Sequence, residues 1–451
     1  MKIFIETLGC PKNENDSSLF GGQLELAGHQ IINDPALADA VIVNTCGFIN
    51  DAKKESIDAI FRMRTIKRPD AILVVSGCLT QRYGDDLYRE IPEADIILGV
   101  NDYEKLPNLL EAFVAGKRQK FLVGSPTPED WQHRRFDGPP YQATLKISEG
   151  CDNRCTYCVI PEIRGNFRSR PIEDLFQEAQ WLAKSGCKEL ILIAQDVTAY
   201  GLDLYGKLAL PELLTKICAI EELKWIRLMY CYEDRITDEL IKVMSSEPKI
   251  CHYIDIPLQH YSSDVLKKMN RRSTPQSISE TIQKLRQAMP DIHIRTTFIT
   301  GFPGETQDDF RILLDFIQSS RFERLGVFAY SKEEGTPACS MKNQIPKRIK
   351  DRRRDEIMLR QMEISRELNC QKIGQIFETI IDEVEDNPDC PVAKKGYTYI
   401  GRTRYDAPEI DHSVIVQSNH IHKPGDIILV EITDSFDYDI VGMEVQNEFA
   451  K

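Results

Sequence analysis

Three thiols fall within eight residues at Cys151, Cys155 and Cys158. Their spacing, three residues and then two, differs from the usual zinc pattern, in which one close pair is joined by a distant Cys or His pair. No fourth partner lies nearby. Soft thiolates select iron–sulfur chemistry over hard-oxygen metals, and three of them suit a four-iron, four-sulfur cluster whose fourth iron keeps an open position for a small molecule. The bland alternative is a chance group of buried or zinc-binding cysteines. A second set lies nearer the start of the chain: Cys10, Cys46 and Cys78, each beside a glycine (Gly9, Gly47, Gly77) and each just past an apolar run. As ordinary core cysteines, any one of them needs no further account; three at equivalent positions do. The remaining seven, Cys187, Cys218, Cys231, Cys251, Cys339, Cys370 and Cys390, lack ligand spacing and read as structural.

The elements that must position these thiols follow from the apolar pattern. Strands are expected at Lys2–Thr7, Ala40–Asn44, Ala71–Ser76 and Asp95–Leu98, with helices at Ser17–Ala27, Lys53–Arg64, Arg82–Glu90 and Tyr103–Ala115. Cys10, Cys46 and Cys78 each follow a strand. Ligands of open parallel sheets bind at that edge, so the three should converge, with the glycines permitting close backbone approach. Residues 125–140 read as a linker. A second strand–helix series follows, with strands at Ala143–Ile147, Glu189–Ala194, Trp225–Cys231, Tyr253–Ile256, His293–Ile299 and Arg324–Ala329. Six such units predict a partial (β/α)6 barrel whose site lies at the strands' C-terminal ends, where Cys151 falls. A basic amphipathic helix over 346–370 presents either a solvated face or an RNA contact. Beyond it, short β-branched runs (Phe377–Ile381, Ser413–Gln417, Asp426–Ile432, Ile440–Glu444) predict a small antiparallel β-barrel. The fold class is therefore α/β multidomain: an N-terminal parallel-sheet domain (1–124), a linker (125–140), the partial barrel (141–370) and the small barrel (371–447).

A chain of 451 residues with 42% hydrophobic and 28% charged residues is long enough for about three cores. No apolar run approaches a membrane span, and the first residues lack a signal peptide's apolar core, so a cytoplasmic location is expected. Thirteen cysteines in that setting read as reduced thiols and metal ligands rather than as a disulfide framework. The net charge of −13 is uneven: residues 371–451 hold 16 Asp or Glu against 7 Lys or Arg.

The Cys151–Cys158 motif, with the aromatic Tyr157 before its last cysteine, resembles that of the radical S-adenosylmethionine (SAM) enzymes. Combined with the second triad and the C-terminal barrel, nearly the whole chain resembles the methylthiotransferase family within that class. The resemblance implies an auxiliary-cluster domain, a radical-SAM partial barrel and a TRAM barrel. It implies two 4Fe-4S clusters: a SAM-binding one on Cys151, Cys155 and Cys158, and an auxiliary one on Cys10, Cys46 and Cys78. SAM would serve both as methyl donor to a sulfur species and, in a second molecule, as radical source. A reductant electron carrier and a sulfur donor are implied partners. The segment Ile160–Gly165, continuing to Ser169-Arg170-Pro171, resembles the family's segment after the cluster loop. Gln195 and Asp196, with Gly301 and Gly304 of Thr300-Gly-Phe-Pro-Gly-Glu-Thr306, resemble segments lining the SAM pocket. By themselves Gln195 and Asp196 read equally as structural, and the Gly-Phe-Pro-Gly-Glu turn as a helix cap.

Within the family one branch modifies tRNA adenosine and another, the RimO type, the β-carbon of an aspartate in the twelfth small-subunit ribosomal protein. Thr7-Leu-Gly-Cys-Pro-Lys-Asn13 and the segment from Gly401 to Asp411 resemble the second branch. Charge points the same way, since an RNA-binding barrel needs net positive charge, whereas an acidic one attracts a basic ribosomal protein, free or in the small subunit. Its acidity could instead serve solubility alone. No tRNA and no membrane are expected as partners. The alternatives are a tRNA adenosine methylthiotransferase and, more distantly, a non-enzymatic iron–sulfur protein.

Overall fold

The computed structural model describes residues 1–115, 121–122, 131–136, 138–385 and 396–445. Its first sheet has six parallel strands in the order Gln30–Ile31, Lys2–Thr7, Ala40–Thr45, Ile72–Gly77, Ile96–Leu98, Phe121–Leu122. The two central strands are buried at every residue, which explains their continuous apolar runs. Val41, Val43, Leu73 and Val75 pack with the helix Asn50–Ile66 through Ala59 and Ile60, and Ala40, Ile42, Ile72 and Val74 pack on the other face with Phe20, Leu24 and Leu110. The short strands Gln30–Ile31 and Phe121–Leu122 go beyond the four the apolar pattern predicts, each being too brief to carry a period.

The first helix runs Pro11–Leu26 and so starts six residues before the expected Ser17. Its first half is polar yet buried (Lys12, Asn13, Asn15, Asp16, Ser17, Ser18), because it is clasped between the first sheet and the second domain, and periodicity cannot report such a helix. The end of the expected linker takes part in this clasp. Arg134 is buried and donates to Ser18 Oγ at 2.9 Å, Thr144 O at 2.8 Å and Glu178 at 2.6 Å. Residues 125–130 and 137 of that stretch lie outside the described residues.

The second sheet is parallel and runs in simple sequence order: Gln142–Lys146, Glu189–Ile193, Trp225–Leu228, Ile250–Gln259, His293–Thr300, Arg324–Ala329. All six expected strands form, and the intervening helices cover one face with a large apolar core. The helix Lys347–Cys370 then packs on the last strand. Its basic residues are divided, since Arg353 is buried against Glu305 (2.8 Å) and Lys350 donates to Tyr330 O, whereas Arg348 and Arg352 are exposed.

The last domain closes into a five-stranded barrel of Ile376–Val384, Tyr397–Thr403, Val414–Ser418, Ile427–Ser435 and Ile440–Glu444. It was expected to be antiparallel throughout. Four ladders are, but Val414–Ser418 and Ile440–Glu444 run parallel, making the barrel mixed. Tyr397–Thr403 was not expected as a strand; Gly401 and Arg402 interrupt its apolar pattern. Gly401 is needed where it stands, because a Cβ there would lie 2.4 Å from Ile380 O.

This barrel packs against the beginnings of the second sheet's strands. Glu189 accepts from Arg227 (2.8 Å) and from Arg402 (2.9 Å), Arg324 Nε binds Asp406 (2.9 Å), and Tyr253 binds Asp411 (2.7 Å). Ile380 and Ala407 join Ile193, Trp225 and Tyr253 in one apolar cluster. The C-terminal barrel thus plugs the end of the sheet opposite the cysteine motif. No helix among the described residues is long and apolar enough to cross a membrane.

Candidate active site

In the first sheet the strand order reverses between Lys2–Thr7 and Ala40–Thr45, the switch point at which such sheets bind ligands. Cys10 and Cys46 follow these two strands and Cys78 the next, so the three distant cysteines share one edge. Cys10 caps the helix Pro11–Leu26 in an extended conformation, and Cys78 opens the helix Cys78–Glu90. Their loops interlock. Gly9 has φ +98°, and a Cβ on it would stand 2.9 Å from Cys46 Cβ, so only glycine allows this approach. Asn13 laces the loops together: Nδ2 donates to Leu8 O (2.8 Å) and Thr45 O (3.0 Å), and Oδ1 accepts from Arg164 (2.7 Å).

Arg164 comes from the second domain, at the end of the short helix Ile160–Arg164 that follows the other cysteine motif. Its Nη2 lies 3.2 Å from Cys78 Sγ, and its Nη1 binds Asp16 (2.7 Å) and Glu149 (3.2 Å). Lys146 binds the same two carboxylates at 2.6 and 2.8 Å. Burial opposes a charge on Glu149, but Lys146 and Arg164 hold its carboxyl well below the usual range. This buried ionic network joins the two cysteine-bearing edges.

The second triad sits in the loop after the first strand of the partial barrel. Cys151 N donates to Gly165 O (3.1 Å), Thr156 N to Met269 O (3.1 Å), and Asn270 Nδ2 to Arg154 O (2.9 Å), so two neighbouring loops hold it. Gly150 (φ +80°) allows Asn166 O to approach where a Cβ would lie 2.1 Å away. Tyr157 packs edge-on against Phe302 of the Gly-Phe-Pro-Gly-Glu turn.

The donor sets fit clusters better than single ions. A tetrahedral zinc would hold its sulfurs about 3.8 Å apart, yet among the described residues the group with three ligand atoms within 4.8 Å is His420, His422 and Glu444, and neither cysteine triad is gathered so tightly. All twelve described cysteines are free. Burial pushes the Cys78 thiol up to about 12 and the Cys151 thiol up to about 11, so these sulfurs become thiolates when a metal centre takes them. The guanidinium of Arg271 interacts with the Cys155 thiol and lies 4.2 Å over the Tyr232 ring, and among the described residues its buried Nε and Nη1 meet no oxygen acceptor. Such donors suit the negative charge of a thiolate-bound cluster or of a ligand carboxylate.

The residues expected around SAM divide in their environments. Gln195 donates to Glu149 at 2.7 Å and leaves its Oε1 buried without a donor among the described residues. Asp196 is fully engaged, accepting from Ala199 N, Thr198, Asn153 and Arg235. Because Asn153 Nδ2 also lies 3.5 Å from Cys151 Sγ, Asp196 acts on the cysteine loop through Asn153. A Cβ on Gly301 (φ +72°) would lie 2.3 Å from Lys350 Cγ, and Gly304 (φ +77°) faces the Lys268 amine. Glu305 accepts from Gly301 N and Phe302 N and binds Arg353, which closes the turn.

Sequence reasoning did not single out Asp16, Lys146 or Arg271, and it took Asn13, Asn153 and Arg164 only within segments. The signal was charge in places where it should not be: Asp16 on a helix face pressed between domains and Lys146 at the end of an apolar strand. Of the other cysteines, Cys187, Cys218, Cys231 and Cys251 are buried, Cys339 is half-buried and Cys370 is exposed; Cys390 lies outside the described residues.

Residues 2–99 match the Uncharacterized protein family UPF0004, residues 145–317 the Radical SAM superfamily and residues 373–445 the TRAM domain. Among solved structures, the radical SAM methyltransferase TsrM from Kitasatospora setae superposes with a TM-score of 0.57 at 16% identity, covering 75% of this chain and 73% of its own, a likeness of fold alone. Sequence relatives are far nearer. The ribosomal protein uS12 methylthiotransferase RimO of Lachnoclostridium phytofermentans is 46% identical over 98% of this chain and 99% of its own length. The RimO proteins of Caldanaerobacter subterraneus and Desulforamulus reducens are 47% and 48% identical, each over 98% of this chain and 99% and 98% of their own. Identity at this level, sustained through both cysteine-bearing domains and the terminal barrel, means that the chain belongs to the RimO family of ribosomal protein uS12 methylthiotransferases.

Proposed function

We propose that this chain adds a methylthio group to the β-carbon of an aspartate of ribosomal protein uS12, with Cys151, Cys155 and Cys158 holding a SAM-binding 4Fe-4S cluster and Cys10, Cys46 and Cys78 an auxiliary one. The observation that carries the reading is the meeting of the two cysteine-bearing edges across the Arg164, Asp16, Glu149 and Lys146 network. Bound to Cys151, Cys155 and Cys158, a cluster would supply one-electron reductive cleavage of SAM, the electron coming from the reductant, for hydrogen abstraction from the aspartate, and one on Cys10, Cys46 and Cys78 would supply sulfur that another SAM methylates. The chain's own residues set the geometry. Arg164 fixes the spacing of the two edges and offsets negative charge at Cys78; Arg271 does the same beside Cys155; Asp196, through Asn153, orients the loop of Cys151. Gln195 Oε1 is an acceptor for a SAM donor group. A reductant and a sulfur donor complete the partners, and by domain the chain divides into auxiliary-cluster, radical and docking units.

The exposed acids of the C-terminal barrel, Glu378, Glu383, Glu431 and Asp434, would draw in the basic substrate protein. Intact-mass analysis of ribosomal proteins from cells with and without the gene tests the function. A methylthio gain on uS12 only when the gene is present is expected. An unchanged uS12, together with a gene-dependent methylthio nucleoside in tRNA, would overturn the reading.

A further inference from the structure

Three buried cations lie around the edge that carries Cys10. Arg164 and Lys146 are each bound to Asp16 and Glu149. Lys12, two residues after Cys10, is buried as well, yet its Nζ makes no hydrogen bond or ion pair among the described residues. It stands 3.0 Å from the centroid of the Tyr230 ring, and so points from the first helix into the mouth of the partial barrel. Tyr230 holds a left-handed backbone conformation (φ +60°), strained for a bulky residue, which places its ring there. The neighbouring acid is already committed: Asp255 accepts from Tyr230 N at 3.1 Å and lies 3.6 Å from Arg295.

An ammonium held over an aromatic face, with the nearby Asp255 engaged by Tyr230 N and Arg295, has no hydrogen-bonded anion of its own among the described residues. We infer that Lys12, over Tyr230, is the binding point for the side-chain carboxylate of the substrate aspartate. This inference rests on the proposed function and deepens it. In an aspartate the carboxylate is attached directly to the β-carbon, so holding it at Lys12 puts that carbon beside Cys10 on one side and the barrel mouth on the other. Lys12 thereby selects aspartate over asparagine, which has the same shape and no charge, and over glutamate, whose carboxylate lies one carbon further from the β-carbon.

The test compares binding of uS12 and of uS12 carrying Asp→Asn at the modified position to the iron-loaded full-length enzyme. The parent should bind the aspartate form about tenfold or more tightly, the worth of a charged hydrogen bond. Lys12→Met should bind both forms equally, and Lys12→Arg, which keeps the charge, should retain a preference for aspartate. Iron and sulfide content measured on each variant shows whether the cluster sites are intact. Retention of the full aspartate preference by Lys12→Met at unchanged iron content would overturn the inference. So would loss of the preference in Lys12→Arg to the level of Lys12→Met. If the parent binds neither form of uS12, the failure belongs to the functional reading and not to Lys12.

Discussion

Arg164 Nη2 lies 3.2 Å from Cys78 Sγ, which links a side chain of one cysteine-bearing domain to a thiol of the other. The same guanidinium serves Asn13, Asp16 and Glu149.

Replacing Arg164 with Met should therefore damage the N-terminal site more than the other. Removing one member of a buried ionic network typically costs about 3–5 kcal/mol, because its partners are left charged and dry. Lys146 still pairs with Asp16 and Glu149, so the fold should persist while Cys78 loses its neighbouring cation. Iron per chain should fall by about half in Arg164→Met, with the SAM-dependent site retained. Arg164→Lys should fall between, since an ammonium cannot reproduce the fork. Equal loss of iron from both sites would show that the network only supports the fold.

Gly9 gives a sharper probe of the same edge. Both Gly9 (φ +98°) and Gly28 (φ +85°) occupy conformations that disfavour a side chain, but a Cβ on Gly28 meets nothing within 4 Å, whereas one on Gly9 meets Cys46. Gly28→Ala should cost about 1–2 kcal/mol of backbone strain and leave the iron content unchanged. Gly9→Ala should add displacement of Cys46 and lower the iron content. Equal iron in the two variants would remove the steric argument.

Acid sensitivity follows from buried neutral histidines. His260 is buried with Ser262 N donating to its Nδ1, and burial pushes its pKa down to about 3, with Asp309 opposing and Arg353 reinforcing the shift. The unfolded chain takes up a proton near pH 6.5 that the folded chain refuses until about pH 3. Stability is thus complete above pH 6.5 and falls as pH drops through this window, by about 1.4 kcal/mol for the first unit. Denaturant titrations at pH 7.5 and 5.5 should show the parent losing about that much more than His260→Asn. Taking the difference between the two proteins cancels the acid lability that both share.

The sequence already placed both triads, because strand ends and cysteine spacing are local properties. All six strands of the partial barrel were legible for the same reason. What it could not show was contact between domains: the buried polar start of the helix Pro11–Leu26 breaks the period from which helices are read, and Lys12 becomes notable only once Tyr230 is seen against it. The two residues expected beside SAM differ in what they leave open: among the described residues Gln195 keeps an unpartnered acceptor, while Asp196 holds Asn153 and Arg235.

Charge in the C-terminal barrel shows how composition can overstate a surface. Of its acids, Asp406 and Asp411 are buried or nearly so on Arg324 and Arg295, and Asp382 is paired with Arg402. The first two pairs fasten the barrel to the sheet, the third ties two strands of the barrel together, and all three contribute little outward field. The attraction for a basic protein must come from exposed positions such as Glu378, Glu383, Glu431 and Asp434. Reversing these four to Lys should slow association with uS12 about tenfold at low salt, with the difference shrinking as ionic strength rises, while the dissociation rate changes little. The barrel also meets the strand beginnings, whereas Cys151 lies past a strand end, so it can gather substrate without touching the reacting carbon. The same four reversals should accordingly leave SAM cleavage without substrate unchanged. Stopped-flow association across a salt series decides the matter: identical rates for parent and reversed barrel would assign the acidity to solubility alone.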